Sequence, residues 1–221
     1  MNCRALILGA TGLVGKQVVN QLSQSKEYKE VHLLVRRPVD KSNPKQIVHT
    51  VNFDTLEEDD IPAVDDVFIC IGTTIKKAKT KEAFKKVDYE YPIKVARIAR
   101  EKGASRLLVI SAIGADSGSR VFYSRVKGEM EKAVKKVGYP HVDIFRPSLL
   151  LGNREEFRFG EKMGEYAVKV MKPLLVGPLR KYRGIEDVVV ARAMVKQASE
   201  NRSTGTVIIQ SNEIEKAGRE E

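Results

Sequence analysis

The sequence predicts an α/β domain built on a doubly wound, mainly parallel sheet. A continuous apolar segment, residues 5–8, runs directly into a loop with three glycines, and apolar residues recur at helical spacing behind that loop. Further along, short apolar segments alternate with helical patterns, as repeated strand-helix-strand units require. The chain has 221 residues, a length that suits one domain with one core, so we expect a single domain over residues 1–221.

The glycine loop has the spacing Gly-x-x-Gly-x-x-Gly, with glycines at Gly9, Gly12 and Gly15. The first glycine would turn tightly off the strand, the second would let the backbone approach a diphosphate, and the third would let the helix pack closely on the sheet. Backbone N–H groups and the positive end of the helix dipole would face the anion. A glycine-rich structural turn is the alternative. The predicted phosphate-binding residues are Gly9, Thr11, Gly12, Leu13, Val14 and Gly15.

The second predicted strand, residues 31–35, ends on Arg36 and Arg37. A NAD-specific site would place an acidic residue about twenty positions past the glycines, where it would hold the ribose hydroxyls. A guanidinium group instead suits a bidentate contact with a phosphate, so the sequence favours NADP(H) over NAD(H). The alternative is a solvated basic turn before Pro38.

Two further predicted strands, residues 47–52 and 67–71, should end at the same edge of the sheet. After the first, Asp54 could accept a hydrogen bond from the adenine amine, and an aspartate that caps a turn is the alternative. After the second, the backbone should approach the ribose and diphosphate where the strand order reverses. A simple strand-ending turn is the other possibility here. The residues expected at this second position are Ile71, Gly72 and Thr73.

The candidate catalytic residues follow the fifth predicted strand, residues 106–110, which ends at Ser111. Tyr123 and Lys127 are four residues apart on a predicted helix, so both side chains should lie on one face. A nearby ammonium favours the phenolate form of a tyrosine, which could then exchange a proton with a substrate carbonyl or alcohol. Lys127 would also hold the nicotinamide ribose, and Ser111 would hydrogen-bond the substrate oxygen. An amphipathic helix with an incidental tyrosine is the alternative.

The distal third begins with a sixth predicted strand, residues 141–145, followed by Arg146 and Pro147. Residues 152–184 are predicted as a substrate-side insertion that forms a small helical lobe. Within it Arg154 or Arg158 could receive an anionic substrate, although packing of its apolar residues is the favoured account. A helix from 184, a strand at 206–209 and a frayed tail from 213 should complete the chain. The residues expected to wall the nicotinamide are Pro147, Leu149 and Leu150.

Composition and charge restrict the class of protein. No run of about eighteen apolar residues is present, so we expect no membrane span. The first strand begins at once, and two cysteines on distant strand ends are too far apart to bridge, so we expect no signal peptide and a reducing, cytoplasmic location. The histidines stand alone, so no metal site is expected. The net charge of +10 suits anionic partners of several kinds, and the lysine run in 76–86 is either a solvated face or an electropositive approach to the site.

Together, residues 9–15, 70–74 and 146–150, with the Ser111, Tyr123 and Lys127 set, resemble atypical short-chain dehydrogenase/reductases. More narrowly, they are similar to the family of the HIV Tat-interacting oxidoreductase-like protein. The resemblance implies a Rossmann fold, bound NADPH and a Ser-Tyr-Lys catalytic set, with the two arginines after the second strand on the 2′-phosphate. Two departures stand out. Typical members have a relay asparagine where this chain has Val-Asp-Tyr at 87–89, and an Asn-Asn-Ala-Gly run where this chain has Gly-Thr-Thr at 72–74.

The leading hypothesis is therefore an NADP(H)-dependent reductase that acts on a carbonyl-like small molecule, which could be anionic. The alternative, from another class, is an NADPH-binding redox sensor or regulatory scaffold with little or no turnover that signals to a protein partner. Homodimer formation is compatible with either. Nucleic-acid binding through the lysine run ranks last, because the run has no interleaved aromatic residues and no helix-turn-helix pattern.

Overall fold

A computed structural model describes residues 2–152, 183–201 and 203–219. Within these residues helices connect most of the successive strands of a parallel sheet, which confirms the predicted α/β class with a mainly parallel sheet. The strands are β1 (Cys3–Leu8), β2 (Tyr28–Val35), β3 (Gln46–Thr50), β4 (Asp66–Ile69), β5 (Arg106–Ile110), β6 (His141–Arg146), β7 (Leu150–Leu151), β8 (Ile185–Glu186) and β9 (Gly205–Gln210). The helices are α1 (Leu13–Gln24), α2 (Ile75–Ala78), α3 (Lys81–Lys85), α4 (Tyr91–Glu101), α5 (Phe122–Lys135), α6 (Asp187–Ser199) and α7 (Ser211–Arg219).

The main sheet has seven parallel strands in the order β3-β2-β1-β4-β5-β6-β9. The chain order reverses between β1 and β4, which pair in parallel with Leu8 opposite Ile69. In doubly wound sheets, ligands bind outside the carboxyl ends of the strands at this reversal point. We call the space between the ends of β1 and β4 the crevice. A separate parallel pair, β7 and β8, joins Leu150 to Ile185.

Helices cover both faces of the sheet, which is why the central strands are continuously apolar rather than alternating. On one face α1 packs beside α6 and α7, and their apolar side chains form a single cluster with that face of β1 and β2. On the other face α4 and α5 form the second cluster. The buried helix residues of the first face include Val18, Leu22, Val190, Met194 and Ile214, and those of the second include Val95, Ala99, Met130 and Val134.

The end of the chain differs from the sequence-based prediction. The tail from residue 213 was expected to fray, yet residues 211–219 form α7, so that prediction is wrong. The reason is packing: Ile214 is fully buried, and a Cβ placed on Gly218 would lie 2.0 Å from the Val189 carbonyl oxygen. The preceding helix also begins later than expected, at Asp187, because residues 185–186 form β8.

Both cysteines are free thiols. Cys3 begins β1, whereas Cys70 follows β4 at the opposite edge of the sheet. Burial raises the pKa of the Cys70 thiol to about 12, so this side chain stays protonated and unreactive at neutral pH. Among the described residues, the helices are all too short or too polar to cross a bilayer.

Asp66, at the amino end of β4, should make stability depend on pH. Its carboxyl group is buried and accepts a 2.5 Å hydrogen bond from the Tyr28 hydroxyl. Burial raises the pKa of Asp66 to about 6, so the folded state binds more protons than the unfolded state between about pH 4 and pH 6. Its stabilising contribution is therefore complete below about pH 4 and is lost as the pH rises through about 6.

We expect this loss to be about 2–3 kcal/mol in the free energy of unfolding between pH 4 and pH 7, and to be missing in Asp66→Asn. Urea unfolding of both proteins at several pH values measures it. Parallel pH curves for the two proteins would contradict the prediction.

Candidate functional site

The loop between β1 and α1 needs glycine at two positions for reasons internal to the chain. Gly9 has a φ of +92°, and a Cβ there would lie 2.5 Å from the Ile71 backbone nitrogen. A Cβ on Gly15 would lie 2.1 Å from the Gly9 carbonyl oxygen. At these close approaches the loop packs against the end of β4, and α1 packs against the loop. Gly9 and Gly15 therefore shape the wall of the crevice.

Gly12 is different, because the chain restricts it less than it restricts Gly9 and Gly15, although a Cβ there would still be a tight contact. A Cβ there would be 3.3 Å from the Gly9 carbonyl oxygen, and its φ is an ordinary −76°. Gly12 is the N-cap of α1, and no side chain among the described residues caps this helix end; its first turn also contains no acidic residue. Backbone N–H groups and the helix dipole at this end suit a diphosphate.

The other predicted loop residues differ in what they can offer to a ligand. Thr11 is exposed and Leu13 is half-buried, so both can contact a molecule in the crevice. The Val14 side chain is buried in the core, which leaves only its backbone N–H for that purpose. The loop thus fits an anion mainly through its backbone.

Arg36 and Arg37 directly follow β2, the neighbour of β1 on the side away from β4. Both are exposed, and neither makes a hydrogen bond or ion pair with another residue in the described part of the chain. The carboxyl end of β2 therefore carries two guanidinium groups beside the glycine loop. Such groups suit a phosphate and not the ribose hydroxyls that an acidic residue would hold.

Asp54 lies after β3 and is hydrogen-bonded to two residues of the helical segment that runs from residue 86 into α4. Its Oδ1 accepts from the Lys86 ammonium at 2.8 Å and from the Tyr91 hydroxyl at 3.0 Å. These bonds, chiefly the one from Lys86, lower the pKa of the Asp54 carboxyl group. The turn is capped by Asn52, which accepts from the Asp54 N–H, so Asp54 is not the capping residue. Its contact with adenine stays a prediction.

The segment after β4 forms the other wall of the crevice. The Ile71 backbone touches Gly9, and Gly72 is exposed. A Cβ on Gly72 would lie 3.5 Å from Asp88 Oδ1 and 3.9 Å from Lys127 Nζ. The Thr73 N–H donates to Asp88 Oδ2 at 2.9 Å. Two side chains from other parts of the chain therefore meet directly beside this loop.

Asp88 is brought there by an irregular turn. Residues 86–90 form a π-helical turn between α3 and α4, and Asp88 is buried within it. Pro92 accounts for the wide turn, because proline has no N–H to donate and its ring crowds the carbonyl of the residue four positions earlier, which is Asp88. Such π turns are frequent at functional sites.

Helix α5 carries three polar side chains on one face, at Tyr123, Lys127 and Glu131. Lys127 is buried, and its Nζ lies 2.8 Å from Asp88 Oδ1. Burial opposes the charge, yet the negative groups around it, Asp88 first, raise the pKa of Lys127 above its usual value. Tyr123 is half-buried, with its ring 5.7 Å from that of Phe84. The predicted Tyr-Lys pair is thus on one face, next to the crevice.

Ser111 follows β5, and its hydroxyl has a partner within the chain. It donates to Glu131 Oε1 at 2.6 Å, and Arg146 donates to both oxygens of the same carboxylate, from Nε at 2.9 Å and from Nη2 at 2.6 Å. A hydroxyl has one hydrogen to donate, and in this arrangement Ser111 donates it to Glu131 and not to a substrate carbonyl oxygen. Ser111 would orient a substrate by donating to it only after turning away from Glu131, so its orienting role stays a prediction.

Three of these partners were not identified as site residues from the sequence. In the sequence, Asp88 marks only a departure from the family pattern, and Arg146 is only one residue of the 146–150 segment that resembles the family. Glu131 had a usable signal, since it is four residues after Lys127 on the same helix. Spacing could have placed it on the Tyr-Lys face.

The segment after β6 lies against the glycine loop. The Pro147 carbonyl accepts from the Ile113 N–H at 3.0 Å, and Leu149 and Leu150 are half-buried. A Cβ on Gly152 would lie 3.0 Å from Leu13 Cδ2. Pro147, Leu149 and Leu150, which are predicted to wall the nicotinamide, thus lie between the end of β6 and Gly152, the residue next to Leu13. The rest of the predicted insertion, residues 153–182, including Arg154 and Arg158, lies outside the described residues.

Two other features bear on ligands. In the described part of the chain, no group of three or more His, Cys, Asp or Glu side chains could hold a metal ion. The lysines of the 76–86 run lie on the surface, and Lys81 sits 5.6 Å above the ring centre of Phe122. These positions suit a solvated basic face. That face lies next to Phe122, the residue before Tyr123.

Sequence comparison identifies related proteins. The sequence model of a family described as NAD(P)H-binding matches residues 9–161. The chain is 37% identical over 161 residues to Protein FMP52, mitochondrial, from Candida albicans, covering 68% of each. It is 31% identical over 225 residues to the Meyerozyma guilliermondii protein of the same name, covering 98% of this chain and 96% of that protein. It is also 35% identical over 168 residues to Protein HTATIP2 from Rattus norvegicus, covering 72% and 68%.

Solved structures share the fold at low sequence identity. MoeE5 in complex with UDP-glucose and NAD has a TM-score of 0.69 at 16% identity, covering 96% of this chain and 79% of that chain. A NAD-dependent epimerase/dehydratase from Bacillus halodurans has a TM-score of 0.67 at 17% identity, covering 93% of this chain and 92% of that chain. Human epimerase family protein SDR39U1 with NADPH has a TM-score of 0.60 at 17% identity, covering 95% of this chain and 77% of that chain. Neighbours of this fold thus hold either NAD or NADPH.

The relatives overturn one expectation. The sequence predicts a cytoplasmic protein, whereas its FMP52 relatives from five species are all named mitochondrial. The cytoplasmic prediction is therefore wrong. It rested on free cysteines and on composition, and neither distinguishes one reducing compartment from another.

Proposed function

The chain belongs to the NAD(P)H-binding family of atypical short-chain dehydrogenase/reductases related to Protein HTATIP2, and from that premise we propose that it is an NADP(H)-dependent reductase of a carbonyl group in a small molecule. One observation carries the proposal: Tyr123 and Lys127 share a face of α5, and Lys127 Nζ lies beside Gly72 at the crevice. A phenol and an ammonium at this point suit proton transfer to a substrate oxygen.

The residues around the crevice suit the parts of the cofactor. The glycine loop would hold the diphosphate, while Arg36 and Arg37 would hold the 2′-phosphate. The backbone at Ile71, Gly72 and Thr73 and the half-buried stretch after β6 would line the ribose and the nicotinamide. A bound NADPH would supply the hydride.

The chain itself would supply the proton. Tyr123 would donate its hydroxyl proton to the substrate oxygen as the carbonyl is reduced, and the phenolate left behind would regain a proton from solvent. The Lys127 ammonium would stabilise that phenolate while it exists and would donate a hydrogen bond to the ribose. While Ser111 is bound to Glu131, substrate orientation would depend on other groups in the crevice.

Cofactor preference is the first test of the proposal. We expect Arg36→Glu with Arg37→Glu to raise the Kd for NADPH about 10–100-fold, because two charge-assisted contacts with the 2′-phosphate are lost. The Kd for NADH should change less than about threefold, because that nucleotide has no 2′-phosphate. Fluorescence titration with each nucleotide measures both values.

Arg97→Glu is the matched control, since Arg97 is an exposed arginine on α4 and changes the net charge in the same direction. It should leave both Kd values unchanged. Equal weakening of NADPH and NADH in the arginine variants would refute the assignment of the 2′-phosphate contact.

A second candidate function has a specific observation in its favour. The Ser111 hydroxyl is occupied by Glu131, and the Lys127 charge is matched by Asp88, so two members of the expected catalytic set are already engaged. This arrangement suits an NADPH-binding sensor or regulatory scaffold with little turnover. NADPH binding without hydride transfer to any of a broad panel of carbonyl compounds, together with a partner affinity that changes with the cofactor, would favour the sensor.

Location and domain organisation complete the proposal. We place the protein in mitochondria, as its FMP52 relatives are named. Residues 1–221 would form one domain, with 152–184 on the substrate side. The exposed lysines of the 76–86 run would favour an anionic substrate through long-range attraction.

A further inference from the structure

We propose that Asp88 is a positioning residue that compensates the Lys127 ammonium and ties it to the loop at 72–73, so that the site is set for reduction. The inference rests on the proposed roles of Tyr123 and Lys127. It concerns the stretch at 87–89, which the resemblance compares with the segment where typical members of the larger family carry a relay asparagine. A carboxylate there changes the electrostatics of the whole site.

The geometry of Asp88 commits both of its oxygens. Oδ1 lies 2.8 Å from Lys127 Nζ, and Oδ2 accepts the Thr73 N–H at 2.9 Å. The side chains of the ion pair are only 1% and 5% exposed, so solvent screens the pair weakly. An asparagine could not replace this arrangement, because it carries no charge to compensate the ammonium and its amide nitrogen would face one of the two donors with N–H groups of its own.

The charge of Asp88 affects the proton donor through Lys127. An uncompensated ammonium beside Tyr123 would favour the phenolate, which cannot give a proton to a substrate. With the carboxylate in contact, its negative charge opposes the ammonium charge at the phenol, so the preference for the phenolate is weaker than beside a lone ammonium. The other titratable groups acting on Lys127 are Tyr123 and Glu131, and the Glu131 charge is matched by Arg146.

The second oxygen links this charge to the crevice. Thr73 belongs to the segment that follows β4, and Gly72 beside it is close to both members of the ion pair. The loop that would line the cofactor and the ammonium that would hold its ribose are therefore fixed by one carboxylate. Loss of the whole side chain, as in Asp88→Ala, should affect both, whereas Asp88→Asn removes the charge and can keep an acceptor for the Thr73 N–H.

The pH dependence of turnover tests the electrostatic role. In Asp88→Asn the fall in the rate of NADPH-dependent reduction at high pH should begin about one pH unit lower or more, because the uncompensated ammonium favours the phenolate. At a fixed neutral pH kcat should fall while the KM for NADPH changes less than threefold. Asp66→Asn, which neutralises a buried carboxyl group at the opposite edge of β4, should leave the profile in place. A profile that does not move in Asp88→Asn overturns the proposal.

A measurement without cofactor tests the contact itself. In the free protein the Thr73 amide should exchange its hydrogen at least about tenfold faster in Asp88→Ala than in wild type, because its acceptor is gone. The same amide should be unaffected in Asp66→Asn. Unchanged exchange in Asp88→Ala overturns the proposal. If instead exchange responds as expected but the wild type neither binds nor oxidises NADPH, the proposed function fails and the positioning contact stands.

Discussion

Replacing Tyr123 with phenylalanine should lower kcat for NADPH-dependent reduction by about 10²–10⁴-fold, while the Kd for NADPH changes little. The substitution removes one oxygen and keeps the ring, so the packing of that ring 5.7 Å from Phe84 is retained. What disappears is the proton donor beside Lys127. Initial rates of NADPH oxidation with a panel of carbonyl compounds, and a fluorescence titration with NADPH, measure the two quantities.

Tyr139→Phe provides a matched control for this substitution. Tyr139 is also a tyrosine on the α4-α5 side of the sheet, but its hydroxyl donates to the Ala96 carbonyl at 2.7 Å. Its loss should cost about 1 kcal/mol of stability without affecting kcat. Wild-type turnover in Tyr123→Phe would exclude this phenol as the proton donor, whatever the cofactor affinity.

Most of the fold could be predicted because its signals are local. A strand covered on both faces is continuously apolar, and the glycine loop marks where β1 ends and α1 begins. Helix α7 could not be predicted in this way. It is mostly polar or charged, and its few small or apolar residues, such as Ile214 and Gly218, matter only through their contact with α6.

In the candidate site too, residues with a local sequence signal could be predicted, and residues that depend on contacts between distant segments could not. Tyr123 and Lys127 could be paired from sequence, because four residues on a helix fix a shared face. The partner of Lys127 could not, because Asp88 belongs to a different helical segment and reaches it through a π turn that no local pattern predicts. Ser111 was assigned from its position after β5, and a position alone does not tell which group its hydroxyl meets.

The second large effect is expected at Gly12. Gly12→Ala should raise the Kd for NADPH by about 100-fold or more, because a methyl group would occupy the space next to the uncapped start of α1 and displace the diphosphate from at least two N–H donors. Stability should fall by only about 1 kcal/mol, since among the described residues the nearest atom to the new Cβ is the Gly9 carbonyl oxygen at 3.3 Å, which needs to move by only a few tenths of an ångström. NADPH titration and urea unfolding measure the two effects.

The contrast with Gly9 makes this test specific. Gly9→Ala should unfold the loop as well, because its positive φ and the 2.5 Å approach of a Cβ to the Ile71 nitrogen are both incompatible with alanine. Gly118→Ala, at an exposed glycine with only ordinary contacts, should alter neither property. A chain in which Gly12→Ala binds NADPH as tightly as wild type does not use this loop for the diphosphate, because the methyl group and the phosphate cannot share the same space.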